Sequence, residues 1–276
     1  MNIGIGIRAA HYGAWFDAVR GATDAIDGVD TFEFVTENLL GRGGMPLHIA
    51  RAAAGRGTLF LHGLSLSIGG TDPLPHRYLK ELRSLAEELG VGVVSDHLCF
   101  GSATHVHGHD LWPIPLDDAS FQRCVLRIEE AQEALGRKIV LENVSSYLRL
   151  KSDGRGEAEF LRDLCESTGC QVLLDVNNIH VAATNHGFDA RAYVDHFSVG
   201  HIGYMHVADH SERDGYLFDD HCGPPRADVL ALLRRAVGRF PQVPVIFEWD
   251  ENVPELDEYV RASRAIAEAV QGLSDG

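Results

Sequence analysis

Short apolar runs alternate along the chain with longer stretches in which apolar residues recur every three or four positions. The runs at 3–7 (IGIGI), 31–36 (TFEFVT), 58–63 (TLFLHG), 91–97 (VGVVSDH), 138–143 (KIVLEN), 171–176 (QVLLDV), 201–207 (HIGYMHV) and 243–249 (VPVIFEW) predict strands. The periodic stretches predict helices. In 75–90 the residues Tyr78, Leu79, Leu82, Leu85, Ala86 and Leu89 fall on one stripe that stops at Gly90. The stretch 117–136 opens on Asp117 and Asp118 as cap candidates and closes on Gly136, and 156–169 ends on Gly169. The stretch 226–240 precedes the last strand, and 254–270 follows it, with Pro254 placed for a first helical turn.

Eight apolar strands, most followed by a helix, predict an α/β protein: a (β/α)8 TIM barrel forming one domain over 1–276. A doubly wound open sheet is the rival. No GxGxxG turn marks the first strand–helix junction, and the glycines of GIGIR lie inside the strand, where they permit close packing.

Six of the predicted strands end in a residue able to bind a metal: His62, His97 (after Asp96), Glu142, Asp175, His206 and Glu248. One such residue is ordinarily a helix cap or loop anchor. Six are different, because in a parallel barrel all strand C-termini open on one face. Converging carboxylates repel and are costly to bury unpaired. Arg8 is the one base at a strand end, so cations are the better remedy. The loop motif LFDDHCG adds Asp219 and His221, an Asp-x-His pair able to chelate from one side, and Asn178 follows Asp175 by three residues. Nitrogen and oxygen donors without thiolate favour iron, manganese or zinc over copper(I) or an iron–sulfur cluster.

Composition narrows the function classes. The 276 residues carry 40 Asp plus Glu against 24 Lys plus Arg, a formal charge of −16, which argues against a nucleic-acid substrate. No apolar run reaches the roughly 18 residues of a membrane span, and MNIGIGIRAAH has neither the basic nor the apolar region of a signal peptide. Five cysteines (Cys99, Cys124, Cys165, Cys170, Cys222) without a CxxC pair read as reduced thiols, so a cytoplasmic protein is expected.

The motifs GIGIR, FVTEN, HGLSLSIGG, SDHL, LENVSSY, LLDVNN, NHGFD, HVA, DDH and FEWD, in this order, resemble the multinuclear non-haem iron-dependent oxidases. The resemblance covers nearly the whole chain. It implies a (β/α)8 barrel related to the xylose isomerase and endonuclease IV superfamily. It also implies two or three irons, a mixed-valent Fe(II)/Fe(III) pair among them, with dioxygen as co-substrate. By the same resemblance His62, His97 and Glu142 would hold one iron. Glu142 would bridge to a second held with Asp175, His206 and Glu248, and Asn178, Asp219 and His221 would hold a third. His180 departs from the Tyr expected there. The family modifies ribosomally made precursor peptides, usually at cysteine, and commonly works with a small partner that recognises the leader peptide.

Other residues carry expectations of their own. Asp96, Asn143 and Asp209 are candidate hydrogen-bond partners for ligand side chains, or else loop anchors. THVHGHD (104–110) reads as a polar hairpin beside the mouth rather than a ligand cluster, with Asp110 matching the family. Trp15, Trp112 and Trp249 are candidates for a peptide groove, Trp249 foremost. Cys222, Cys165 and Cys170 read as packing residues, and Glu37 and Asn38 as loop anchors. Arg8 is placed to pair with a ligand or substrate carboxylate. Two rival functions fit a metal-lined barrel: a divalent-metal hydrolase or isomerase of the endonuclease IV or xylose isomerase type, and a non-catalytic metal-binding scaffold.

Overall fold

The computed structural model describes residues 3–272, apart from Arg42, His105 and the side chains of His107 and His109. Three histidines of the 104–110 segment therefore lie outside what is described. The barrel strands are β1 (Ile3–Ile7), β2 (Thr31–Val35), β3 (Thr58–His62), β4 (Val93–His97), β5 (Ile139–Glu142), β6 (Gln171–Asp175), β7 (Ile202–Val207) and β8 (Val245–Phe247). Each pairs in parallel with the next, and β8 pairs with β1, closing the sheet. Closure excludes the open doubly wound sheet. All eight predicted strands are present, most trimmed by a residue or two at their ends. Glu248 lies one residue beyond β8, its N–H still donating to Val207 O at 3.0 Å.

The helices are α1 (Tyr12–Val19), α2 (Met45–Ala54), α3 (His76–Leu89), α4 (Asp118–Leu135), α5 (Glu157–Thr168), α6 (Val176–His186), α7 (Ala190–Asp195), α8 (Ala227–Arg239) and α9 (Leu256–Gln271). Leu79, Leu82, Leu85, Ala86 and Leu89 of α3 are buried, as their spacing requires. Asp117 caps α4 by accepting from Ser120 N at 2.8 Å. Gly90 and Gly136 end α3 and α4 at φ 65° and 67°, the left-handed conformation that glycine adopts without strain. Pro254 falls two residues short of the first helical residue, Leu256. Glu255 is the N-cap of α9, and the Pro254 carbonyl meets His11 Nε2 at 3.0 Å instead.

Gly4 packs as expected: a Cβ there would lie 2.6 Å from Ile246 Cδ1. Two antiparallel hairpins wall the C-terminal mouth. Phe100–Ala103 pairs with Val106–Trp112, the hairpin expected from 104–110. Ser211–Arg213 pairs with Tyr216–Phe218 around Asp214-Gly215 at φ 52° and 84°, a dipeptide suited to a tight hairpin turn. Among the described residues no helix is long and apolar enough to cross a membrane.

Candidate metal centre

Side chains alternate along a strand, so one residue in two points into the barrel. Counting back from each strand end places His62, His97, Glu142, Asp175 and His206 inward at the mouth. Register then makes neighbours of them: His97 lies opposite Glu142, and Asp175 opposite His206. Glu248 joins from the end of β8. Asn178 comes from the first turn of α6, and Asp219 and His221 from the loop after the second hairpin. A cavity of about 610 Å³ is lined by His62, His97, Glu142, Asn178, Asp219, His221 and Glu248, with Arg8 and Asp250 at its edge. Asp175 and His206 lie beneath, fully buried. The structure thus gathers all nine residues picked out in the sequence.

Glu142 sits at the centre. Its Oε2 is 3.2 Å from His62 Nε2 and 3.0 Å from His97 Nε2, while its Oε1 is 3.7 Å from His206 Nδ1. His206 Nδ1 also lies 2.9 Å from Glu248 Oε2 and 3.9 Å from Asp175 Oδ2. His221 Nε2 is 2.9 Å from Asp219 Oδ1. Among the described residues, ligand atoms cluster within 4.8 Å in the sets His62–His97–Glu142, Glu142–Asp175–His206, Asp175–His221–Glu248 and Glu33–His206–Glu248. Glu142, Asp175, His206 and Glu248 are each shared between two sets. His221 groups with Asp175 and Glu248, whereas the expected third set joined it to Asn178 and Asp219.

Several of these atoms have neighbours but no hydrogen bond. Glu142 Oε2, Asp175 Oδ2, Asn178 Oδ1, His206 Nδ1 and His221 Nε2 are buried without a partner of acceptable geometry. Each such atom costs about 1–3 kcal/mol if left unsatisfied. Carboxylate, imidazole and amide donors facing one space are suited to divalent or trivalent cations, so the residues fit metal ions.

The opposite ring nitrogen of every candidate histidine is anchored, as ligand histidines require. His62 Nδ1 meets Ser95 Oγ at 2.8 Å, His97 Nδ1 meets Gly63 O at 3.2 Å, His206 Nε2 meets Glu33 Oε2 at 3.0 Å, and His221 Nδ1 meets Asp250 Oδ2 at 3.0 Å. His221 holds this pose at φ 48°, a left-handed conformation uncommon outside glycine. Asp175 divides its oxygens: Oδ1 caps α6 by accepting from Asn178 N at 2.8 Å, which leaves Oδ2 to the cluster. Arg8 pairs with Glu248 Oε1 at 2.7 Å and with Asp250. The Arg8 guanidinium lies over Gly6, where a Cβ would collide with it.

The charges perturb one another. Burial alone would lower the His97 pKa, but Glu142 outweighs it and raises it to about 9. Burial, reinforced by Glu142, pushes the Asp175 carboxyl up to about 7. Burial opposes ionisation of Glu142, yet His97, His206 and His62 hold it well below the usual carboxylate range. His97 and Asp175 both bind protons more tightly folded than unfolded. Their stabilising contributions are complete below the unfolded values of 6.5 and 3.8, and are lost as pH rises through about 9 and about 7. The Tm of chelator-treated protein is therefore expected to fall between pH 6.5 and 9. Saturating zinc, which takes over from the protons, should flatten that slope in thermal scans across the range.

Of the two readings of Asp96, Asn143 and Asp209, partners of ligand side chains or loop anchors, their side-chain hydrogen bonds fit the second. Asp96 accepts from Ser65 N, Leu66 N and His97 N at 3.2, 3.0 and 2.8 Å, fixing the loop after β3. Asn143 exchanges hydrogen bonds with the Asp175 main chain. Asp209 accepts from Arg226 and Cys222. The Asn143 main-chain oxygen also accepts from Asn178 Nδ2 at 3.0 Å. Trp249 follows Glu248 and is turned away from the mouth onto Phe247 and Tyr259, and Trp15 is buried against Phe32. Trp112 is the tryptophan on the cavity wall. His180 packs on His210 and joins no ligand set among the described residues. Cys165 and Cys170 are buried with sulfurs 4.0 Å apart, and Cys222 is half-buried. Glu37 anchors loop and helix, accepting from Leu64 N and the Tyr78 hydroxyl, both at 2.9 Å.

Sequence reasoning passed over Glu33, Ser95, Tyr204 and Asp250. For Glu33, Ser95 and Tyr204 the available signal was a lone charge or hydroxyl at an inward position of an apolar strand, as with Glu33 between Phe32 and Phe34.

A closed parallel barrel with histidines and carboxylates gathered at the strand C-termini is a TIM barrel with a candidate metal site at its mouth. Solved structures of that shape superpose along almost the whole chain. A D-psicose 3-epimerase matches with a TM-score of 0.66 at 16% identity, covering 99% of this chain and 100% of that one. Endonuclease IV from Thermus thermophilus matches with a TM-score of 0.64 at 19% identity, covering 97% and 99%. At such identity the likeness is one of fold. The chain belongs to the MbnB/TglH/ChrH family of RiPP precursor modification enzymes, which it matches over residues 2–271. RiPPs are ribosomally synthesised, post-translationally modified peptides, and the substrate of this family is a RiPP precursor. Similar proteins include a UPF0276 protein of Anaeromyxobacter sp. strain Fw109-5, 41% identical over 268 residues, covering 97% of this chain and 92% of that protein. A UPF0276 protein of Chromobacterium violaceum is 38% identical over 272 residues, covering 99% and 95%.

Proposed function

We propose that this protein is an iron- and dioxygen-dependent oxidase that modifies a ribosomally synthesised precursor peptide at a cysteine. The observation that carries this reading is the set of buried donor atoms at the mouth that have close neighbours yet no hydrogen bonds. His62, His97 and Glu142 would hold one iron, and Glu142, Asp175 and His206 a second. Asp175, His221 and Glu248 would hold a third, with Asn178 and Asp219 beside them. Bound iron supplies a Lewis acid for the cysteine thiolate and a redox centre for dioxygen.

The chain supplies the setting. Arg8 and the paired histidines offset the carboxylates so that they remain available as ligands. Tyr147 and Phe218 stack at 5.6 Å to form one wall, and the exposed Leu64, Trp112 and Leu148 form an apolar rim. A second cavity of about 630 Å³ adjoins the first and shares Pro113, Val144 and Leu148 with it. It gives residues flanking the modified cysteine somewhere to lie, so that the cysteine enters the mouth and bulk water is displaced. A small leader-recognising protein would deliver the peptide. The free cysteines suit a cytoplasmic setting.

The test is anaerobic loading with iron, then admission of oxygen with and without the precursor peptide encoded nearby. Peptide-dependent oxygen uptake with a mass change on the cysteine is expected. A zinc protein that turns over without oxygen would favour the hydrolase or isomerase, and no turnover of any peptide would favour the scaffold.

A further inference from the structure

Beneath the mouth runs an unbroken chain of buried hydrogen bonds between two candidate ligands on opposite sides of the barrel. His62 Nδ1 lies 2.8 Å from Ser95 Oγ, Ser95 Oγ lies 2.6 Å from the Tyr204 hydroxyl, and that hydroxyl lies 2.6 Å from Glu33 Oε2. Glu33 Oε2 lies 3.0 Å from His206 Nε2. All five side chains are at most 5% exposed.

The direction of every proton follows from one end. A carboxylate only accepts. Tyr204 therefore donates its single proton to Glu33 and can only accept from Ser95. Ser95 then spends its proton on Tyr204 and must accept from His62 Nδ1–H. His206 likewise donates from Nε2 to Glu33. The alternative acceptor for Ser95, Leu61 O, is farther away at 3.4 Å. The relay thus keeps a proton on the far nitrogen of each ring, so that the cavity-side nitrogen is the one a metal ion would take: His62 Nε2, 3.2 Å from Glu142 Oε2, and His206 Nδ1, 2.9 Å from Glu248 Oε2.

We propose that Glu33 is a positioning residue that sets the ring tautomers of His62 and His206 together, through Tyr204 and Ser95, and so prepares two metal positions at once. This rests on the reading of both histidines as metal ligands. Glu33 does not touch the first position, so its influence there passes through the relay. An amide in its place can donate. A glutamine side chain at this position, turned with its NH₂ toward Tyr204, would reverse the proton of Tyr204, then that of Ser95, and would leave His62 with its proton on the cavity side.

The experiment uses the full chain, zinc(II) as the probe, equilibrium titration for affinity and zinc-edge anomalous diffraction for occupancy by position. Glu33→Gln is expected to weaken zinc roughly 10–100-fold at the His62 position as well as the His206 position, the usual cost of losing a partner behind a ligand. Tyr204→Phe cuts the relay and leaves Ser95 free to turn to Leu61 O. Added to Glu33→Gln, it should restore affinity at the His62 position and leave the His206 position weak. That rescue is something a merely structural role for Tyr204 would not produce. Loss confined to the His206 position in Glu33→Gln, or no rescue in the double variant, overturns the relay. Wild-type protein that binds no zinc at either position overturns the metal reading beneath it, a distinct result. Should Glu33→Gln fail to fold, Ser95→Ala serves in its place. It is expected to weaken the His62 position alone, and equal loss at both positions or at neither would refute the proposed direction.

Discussion

Glu142→Ala is expected to abolish peptide-dependent oxygen uptake while leaving a folded barrel. Glu142 is the carboxylate that His62 and His97 face through one oxygen and His206 through the other. On the proposed reading its removal would take a ligand from two positions at once, so the loss should exceed the roughly 10–100-fold cost of removing a partner behind a ligand. The fold should survive because the barrel is held by its parallel ladders and by a continuous apolar core outside the mouth. His97 loses the largest of the charges that raise its pKa, so that pKa should fall. Metal analysis, activity and circular dichroism on the same preparation check the outcome. Full activity in this variant would remove Glu142 from the centre.

Asp175 allows structure and function to be separated. Its Oδ1 caps α6 and its Oδ2 faces the cluster. Asn caps a helix about as well as Asp, whereas Ala costs about 0.5–2 kcal/mol. Asp175→Asn should therefore keep the helix and lose metal at the positions Asp175 serves, with activity falling as far as in Glu142→Ala. Burial and Glu142 raise the Asp175 pKa to about 7. The folded, metal-free protein thus disfavours its charged form, and at pH 8 metal-free Asp175→Asn should be more stable than metal-free wild type. Asp175→Ala should lose metal equally and melt lower than Asp175→Asn by the value of the cap. Denaturant titration of the three metal-free proteins at pH 8 gives the order. A wild type more stable than Asp175→Asn under those conditions would contradict the assignment.

The barrel was legible because apolar strands buried on both faces stand out against amphipathic helices, and the candidate ligands because they stand where strands stop. The nine candidates share that one positional rule. The rule does not extend to the adjacent residue on either side. Asp96, Asn143 and Trp249 sit beside His97, Glu142 and Glu248, and neighbours along a strand face opposite ways. Asp96 consequently meets the loop amides of Ser65 and Leu66, and Trp249 meets α9. Other partners of the candidate histidines come from across the barrel: Glu33 reaches Tyr204 over a separation of 171 residues and His206 over 173. Register and closure decide such pairs, and neither is written in any local window. Asp250 was hidden for another reason. Its contact with His221 depends on a loop that turns back through a left-handed residue.

The most direct measurement is iron per chain, with oxidation states by Mössbauer spectroscopy, on protein purified without oxygen, joined to anomalous diffraction that locates each ion. Two or three irons held among His62, His97, Glu142, Asp175, His206, His221 and Glu248 is the expected result. Active protein with no metal at the mouth, or with metal bound elsewhere, would contradict it.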